Sequence, residues 1–134
     1  MRSRLNTFIP GVFAALLAGG VFAAAPDAQR SSAGGVTVAV TPQNIVAGAK
    51  SWDFKVALDT HSGSLDDDLV KTTTLLDDKG AKHVPVKWDG AGPGGHHREG
   101  VLRFNAISPQ PKAIELQMQR PGEAKPRSFR WQLK

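Results

Sequence analysis

His96 and His97 stand side by side in Asp89-Gly90-Ala91-Gly92-Pro93-Gly94-Gly95-His96-His97-Arg98-Glu99. They are half of the four histidines in a 134-residue chain that contains neither cysteine nor tyrosine. A third imidazole, His61, lies in Asp59-Thr60-His61-Ser62-Gly63-Ser64-Leu65-Asp66-Asp67-Asp68. Imidazole titrates near neutrality and serves as a proton carrier, a hydrogen-bond bridge or a metal ligand. His61 with His96 or His97, completed by Asp59 or Asp66, has the donor types that suit zinc or copper. Adjacent side chains diverge, however, so only one of His96 and His97 is expected to serve as a ligand. Calcium on Asp66, Asp67 and Asp68 is disfavoured, because the triplet lacks the alternate spacing and bidentate glutamate of a helix-loop-helix site. Hydrolysis by Ser62 or Ser64 with His61 is weaker still. A nucleophile needs a base at hydrogen-bond distance and an oxyanion hole, and no sharp strand-to-helix turn is present to supply one.

Two other uses of these residues remain. The imidazoles can knit irregular loops together, with Thr60 and Ser62 bonding nearby backbone groups, Gly94 and Gly95 allowing close approach, and Arg98 pairing with Asp59 or the aspartates. Alternatively the loops present a recognition surface to a protein, peptide or glycan.

The elements that must position these loops have a period of two. Val36, Val38 and Val40 alternate with Thr37 and Ala39, and Trp52, Phe54, Val56 and Leu58 alternate with Asp53, Lys55 and Asp59. Such alternation is that of half-buried antiparallel strands. Further strands are expected over Leu69–Leu76, which carries Thr72-Thr73-Thr74, and over His83–Trp88, with Val84, Val86 and Trp88 inward. Pro85 cannot donate to a ladder and marks that segment as an edge. Leu102, Phe104 and Ala106, then Ile114, Leu116 and Met118, then Phe129, Trp131 and Leu133 complete the inward sets. About seven strands and no amphipathic helix point to an all-β sandwich of two antiparallel sheets, immunoglobulin-like or fibronectin-like in outline. Trp52, Trp88 and Trp131 are expected to fill the core in place of the usual cystine. Successive loops of such a sandwich alternate between its two ends. The 59–68 and 89–99 loops therefore fall at one pole, with His83 near the other.

The chain's start indicates export. Arg2 and Arg4 precede an apolar run from Phe8 to Ala25 that ends in Ala23-Ala24-Ala25, the pattern of a cleaved secretory signal. The expected organisation is a signal peptide over 1–25, a flexible tether over 26–35 rich in Ser, Ala and Gly, and one domain over 36–134. A periplasmic or secreted location follows, with no transmembrane segment once the signal is removed. The formal charge of +5 includes Arg2 and Arg4 of the leader, so the mature domain is less basic than the whole chain. Its lysines are scattered one or two per segment, without the basic, aromatic-laced face of a nucleic-acid binder. Arg120, Lys125, Arg127 and Arg130 form a local cluster that reads as ordinary hairpin charge.

Trp52-Asp53-Phe54, Leu58-Asp59-Thr60-His61-Ser62, Gly94-Gly95-His96-His97-Arg98 and Gly100-Val101-Leu102-Arg103-Phe104 together resemble a group of small bacterial exported or lipoprotein-type proteins of uncharacterised function. The resemblance covers Val36 to about Gln119 and implies an immunoglobulin-like exported domain without attaching an activity. The chain departs from lipoprotein-type members in having no cysteine to carry a lipid. The combined expectation is an exported, non-catalytic binding or accessory module without a cofactor, with His61, His96, His97, Arg98 and Asp59 at its recognition or structural pole. The alternative is a periplasmic copper or zinc protein using His61, His96 or His97 with Asp59 or Asp66.

Overall fold

The computed structural model describes residues 26–133. The expected signal peptide lies outside the described residues. Among the described residues, nine strands and one short helix succeed one another as β1 (Gln29–Ala33), β2 (Val36–Pro42), β3 (Ser51–Thr60), α1 (Leu69–Thr72), β4 (Thr73–Leu76), β5 (Lys82–His83), β6 (Lys87–Gly90), β7 (His97–Asn105), β8 (Ala113–Met118) and β9 (Arg127–Gln132). They form a five-stranded sheet ordered β1-β2-β3-β7-β6 and a four-stranded sheet ordered β5-β4-β8-β9. Every strand pairing among the described residues is antiparallel, and together they form an all-β sandwich.

The inward phases read from the sequence build the core. Val36, Val38 and Val40 of β2, Trp52, Phe54, Val56 and Leu58 of β3, and Leu102 and Phe104 of β7 are buried. They join Leu75 of β4, Ile114, Leu116 and Met118 of β8, and Phe129 and Trp131 of β9. Phe54 ties the layers together. Its ring meets Phe104 edge-on at 5.5 Å and reaches Trp131 of the opposite sheet at 5.7 Å. Such ring pairs contribute about 0.5–1.5 kcal/mol beyond the area they bury.

Three segments differ from the sequence expectation. Gln29–Ala33 is a strand rather than a tether. The turn into β2 uses Gly34 and Gly35 at φ 57° and 80°, the double positive φ that suits a two-residue hairpin. None of the β1 side chains is buried. Their fastening comes instead from the other sheet: the Gln29 amide bonds both peptide groups of Arg130, and Trp131 Nε1 donates to Asp27 O at 2.7 Å. Leu69–Leu76 splits into α1 and β4. Asp68 caps the helix by accepting from Val70 N at 3.1 Å and Lys71 N at 3.3 Å, which offers the backbone an alternative to the ladder.

The third difference is at His83–Trp88, where one expected strand becomes two in different sheets. β5 pairs with β4 and β6 pairs with β7, and the chain crosses between them. Val84 and Val86 are 68% and 53% exposed rather than inward. Pro85 lacks the donor that would continue a ladder. Val86 N then bonds Arg103 O at 2.7 Å although Lys87 is the registered partner of Arg103, so two residues oppose one as in a β-bulge.

Strand direction brings four connections to the pole where β3 ends and β7 begins. These are the β1–β2 turn and the segments 61–68, 91–96 and 119–126. The 43–50, 77–81 and 106–112 segments occupy the opposite pole.

Candidate functional site

The two histidine loops meet, as strand alternation predicts. Thr60 N donates to His96 O at 2.9 Å and Gly94 N donates to Leu65 O at 2.8 Å. Gly94 and Gly95, at φ 108° and 78°, give the loop the backbone that this approach requires. Thr60 is buried where β3 leaves the sheet. Its Oγ1 donates to Gly35 O at 3.0 Å and accepts from Ser62 N and Gly63 N, drawing the β1–β2 turn into the same pole.

The expected site residues do not form one constellation. Asp59 and His97 are register partners on the outer face of the five-stranded sheet. His97 Nδ1 lies 2.5 Å from Asp59 Oδ1 and Nε2 lies 3.2 Å from Glu99 Oε1. Glu99 in turn pairs with Lys55 at 3.0 Å. His61 and His96 are exposed, and neither imidazole has a hydrogen-bond partner among the described residues. Asp66 is exposed and accepts from Ser64 Oγ at 2.5 Å. Both nitrogens of His97 are thus engaged by carboxylates, and no group of three or more metal-ligating side chains among the described residues is arranged to hold an ion. His83 lies at the opposite pole, 3.1 Å from Asp77.

Arg98 departs furthest from expectation. It was expected to pair with Asp59 or the aspartates, but it is the register partner of Leu58 and therefore points to the inner face, away from Asp59. Only 3% exposed, it donates through Nε to Ala91 O at 3.0 Å and through Nη1 to Leu65 O at 3.2 Å and Asp67 O at 2.6 Å. Its guanidinium carbon sits 5.5 Å from the centroid of the Trp88 ring, within cation–π range. Trp88 is partly buried, and its Nε1 shares Ala91 O at 2.8 Å. The indole lies over the facing pair Gly90 and Gly100, where a Cβ on Gly100 would come within 2.7 Å of the ring.

Arg120 and Arg127, expected as ordinary hairpin charge, are also buried. Arg120 grips the buried Asp67 with a fork, Nε to Oδ2 at 3.0 Å and Nη2 to Oδ1 at 3.2 Å, and reaches Glu123 at 3.3 Å. Arg127 bonds both oxygens of Glu123, at 3.0 and 2.6 Å. It also donates to three carbonyls of the first hairpin, Ser31 O, Ala33 O and Val36 O, at 2.6, 2.9 and 3.0 Å. A continuous chain of contacts runs from Arg98 through Asp67, Arg120, Glu123 and Arg127, tying together all four connections of the pole. The sequence does carry a signal for it. Arg98, Arg120 and Arg127 lie in phase with the inward sets Leu102–Phe104, Ile114–Met118 and Phe129–Trp131, at the strand ends that share one pole.

The charges behave accordingly. The Asp59 hydrogen bond, then that of Glu99, raises the His97 pKa above its ordinary value, so these carboxylates hold the imidazolium. Lys55, then His97, lowers that of Glu99. Arg127 lowers the Glu123 pKa. Burial opposes the charge on Arg120, but Asp67 and Glu123 more than offset it. Chemically, the outer face of the pole offers a charged and hydrogen-bonding surface, and the inner face offers rigidity. Compared with known proteins, the chain matches no family model, no curated protein and no solved structure.

Proposed function

We propose that the chain is an exported, non-catalytic binding or accessory module whose recognition surface is the pole displaying His61, His96 and His97. The observation that carries this reading is the buried arginine chain beneath that surface. Arg98, Arg120 and Arg127 are each buried and each bonded to groups from a different segment. Loops held this way are ordered before a partner arrives, which removes part of the entropic cost of association. His61, Ser62 and His96 project from this braced base with their side chains exposed. The leader pattern from Arg2 to Ala25 supports a periplasmic or secreted setting, where the partner would be a protein, peptide or glycan of that compartment.

Site-specific photo-crosslinking in exporting cells tests the reading. A crosslinking residue placed at position 61 or 96 is expected to yield a discrete adduct. The same residue at Lys79, on the opposite pole, is expected to yield none. Adducts from position 79 alone, or from none of the three, would overturn the assignment.

A further inference from the structure

β9 is an edge strand, and it is the longest of the four edges among the described residues, with six residues against five in β1, four in β6 and two in β5. It contains no proline, and its register against β8 runs unbroken from Arg127 to Gln132. Such an edge is a template on which a second strand can pair. Which groups it offers follows from the ladder. Leu133 N donates to Lys112 O at 2.7 Å, so alternation turns the backbone groups of Trp131, Phe129 and Arg127 toward β8 and leaves the N–H and C=O of Ser128, Arg130 and Gln132 pointing outward. The middle one of these three is already occupied. The Gln29 carboxamide accepts from Arg130 N at 2.9 Å and donates to Arg130 O, the two bonds that a neighbouring strand would make. Gln29 is itself held on both sides: Trp131 Nε1 bonds Asp27 O two residues before it, and Arg127 Nη1 bonds Ser31 O two residues after it. Ser128 N and O have no partner among the described residues.

We propose that Gln29 is an edge guard, which holds the outward N–H and C=O of Arg130 so that β9 cannot pair with β9 of a second copy of this chain. A second copy is the partner that this edge fits, because an antiparallel edge is complementary to itself about a two-fold axis. The other devices that keep edges apart are weak here. The outer side of β9 carries Ser128, Arg130 and Gln132, and the one charge among them is paired with Glu115 at 3.4 Å. With Gln29 in place, a pairing strand could reach only Ser128 and Gln132, on either side of an occupied centre. The guard is independent of the recognition reading.

Hydrogen exchange and sedimentation equilibrium, on the protein recovered from exporting cells, test the guard. In the wild type the Arg130 amide is expected to be protected, and the Ser128 amide, outward on the same edge, to exchange freely. Gln29→Ala is expected to associate into dimers at least about tenfold more tightly than the wild type, the scale of the hydrogen bonds released. Adding Ser128→Pro to Gln29→Ala is expected to restore the monomer, because proline lacks the outward N–H while the bonds to β8 are untouched. A wild-type Arg130 amide that exchanges as fast as that of Ser128 would overturn the proposal. So would a Gln29→Ala variant as monomeric as the wild type, or a dimer that persists with Ser128→Pro. The amide comparison needs no variant, so it decides the matter even if Gln29→Ala loosens β1.

Discussion

Arg98→Met removes every donor of the guanidinium while keeping an apolar stem of similar length, and its cost can be worked from the three carbonyls. Leu65 O retains Gly94 N, and Ala91 O retains Trp88 Nε1. Asp67 O loses the donor that held it at 2.6 Å. One orphaned buried carbonyl costs about 1–3 kcal/mol. Loss of the contact with Trp88 adds about 0.5–2 kcal/mol. Relief of a desolvated charge works in the other direction. The net expectation is a loss of about 2–4 kcal/mol, read as a drop in the urea midpoint at unchanged slope. For a domain of this size it corresponds to a melting temperature lower by about 10–20 °C. Hydrogen exchange adds the local test: the Gly94 and Thr60 amides, which join the loops, are expected to lose protection together. Arg98→Lys keeps the charge but not the planar fork, so it is expected to recover only part of the loss. A loss under about 1 kcal/mol with both amides still protected would refute the bracing role. Full recovery with lysine would show that charge, not fork geometry, holds the pole.

Four further outcomes follow from the same structure. Asp67→Ala strands Arg120, and breaking a buried pair in this way is expected to cost about 3–5 kcal/mol in chemical unfolding; the double variant with Arg120→Ala should cost less than the two single losses combined, and strict additivity would argue against the pairing. The His97 imidazole should titrate above 6.5 in NMR, and Asp59→Asn should bring it down; since its folded value is raised, its contribution is fully present below the unfolded pKa and lost as pH rises through the folded one, and a midpoint at or below 6.5 in the wild type would contradict the geometry. Glu123 has the opposite sign: Arg127 depresses it below 4.5, so its contribution is present above that value and lost as pH falls through the folded pKa, giving an acid transition that Glu123→Gln flattens and that would otherwise be unchanged. Gly100→Ala, whose Cβ would stand 2.6 Å from Gly90 Cα and 2.7 Å from the Trp88 ring, is expected to cost about 1–3 kcal/mol and to alter the near-ultraviolet dichroism of Trp88, whereas an unchanged spectrum would show that the indole is not held there.

Much of the sandwich is legible because its inward residues are both apolar and alternating. Trp52, Phe54, Val56 and Leu58 could face only a core, and they do. Polar strands are less visible. β1 has no side chain to bury, so its ladder depends on Val36–Val40 and its anchorage on Arg127 and Trp131, contacts about a hundred residues apart. His83–Trp88 misleads in the opposite way, because Val84 and Val86 alternate correctly yet Pro85 sends the chain from one sheet to the other. At the candidate site, loop convergence was legible from strand parity, but side-chain direction was not. Parity also placed Asp59 and Arg98 on opposite faces of one sheet, a consequence that charge complementarity alone obscures.

The three arginines suggest how such a pole is read from sequence. A strand's apolar phase usually stops where its sheet stops, because beyond that point the neighbours are loop peptide groups that need donors. Arginine in the inward phase at that position offers five donors from one planar group, and its stem still covers the edge of the core. Arg98 at the start of β7, Arg120 just after β8 and Arg127 at the start of β9 all follow this pattern at one end of the molecule. The opposite end instead brings Trp52 to its margin, with an indole donor buried and unmatched. One pole therefore uses its buried donors to fix its own loops, while the other leaves one buried indole donor unmatched. That difference argues for more firmly held loops at the histidine pole than at the other.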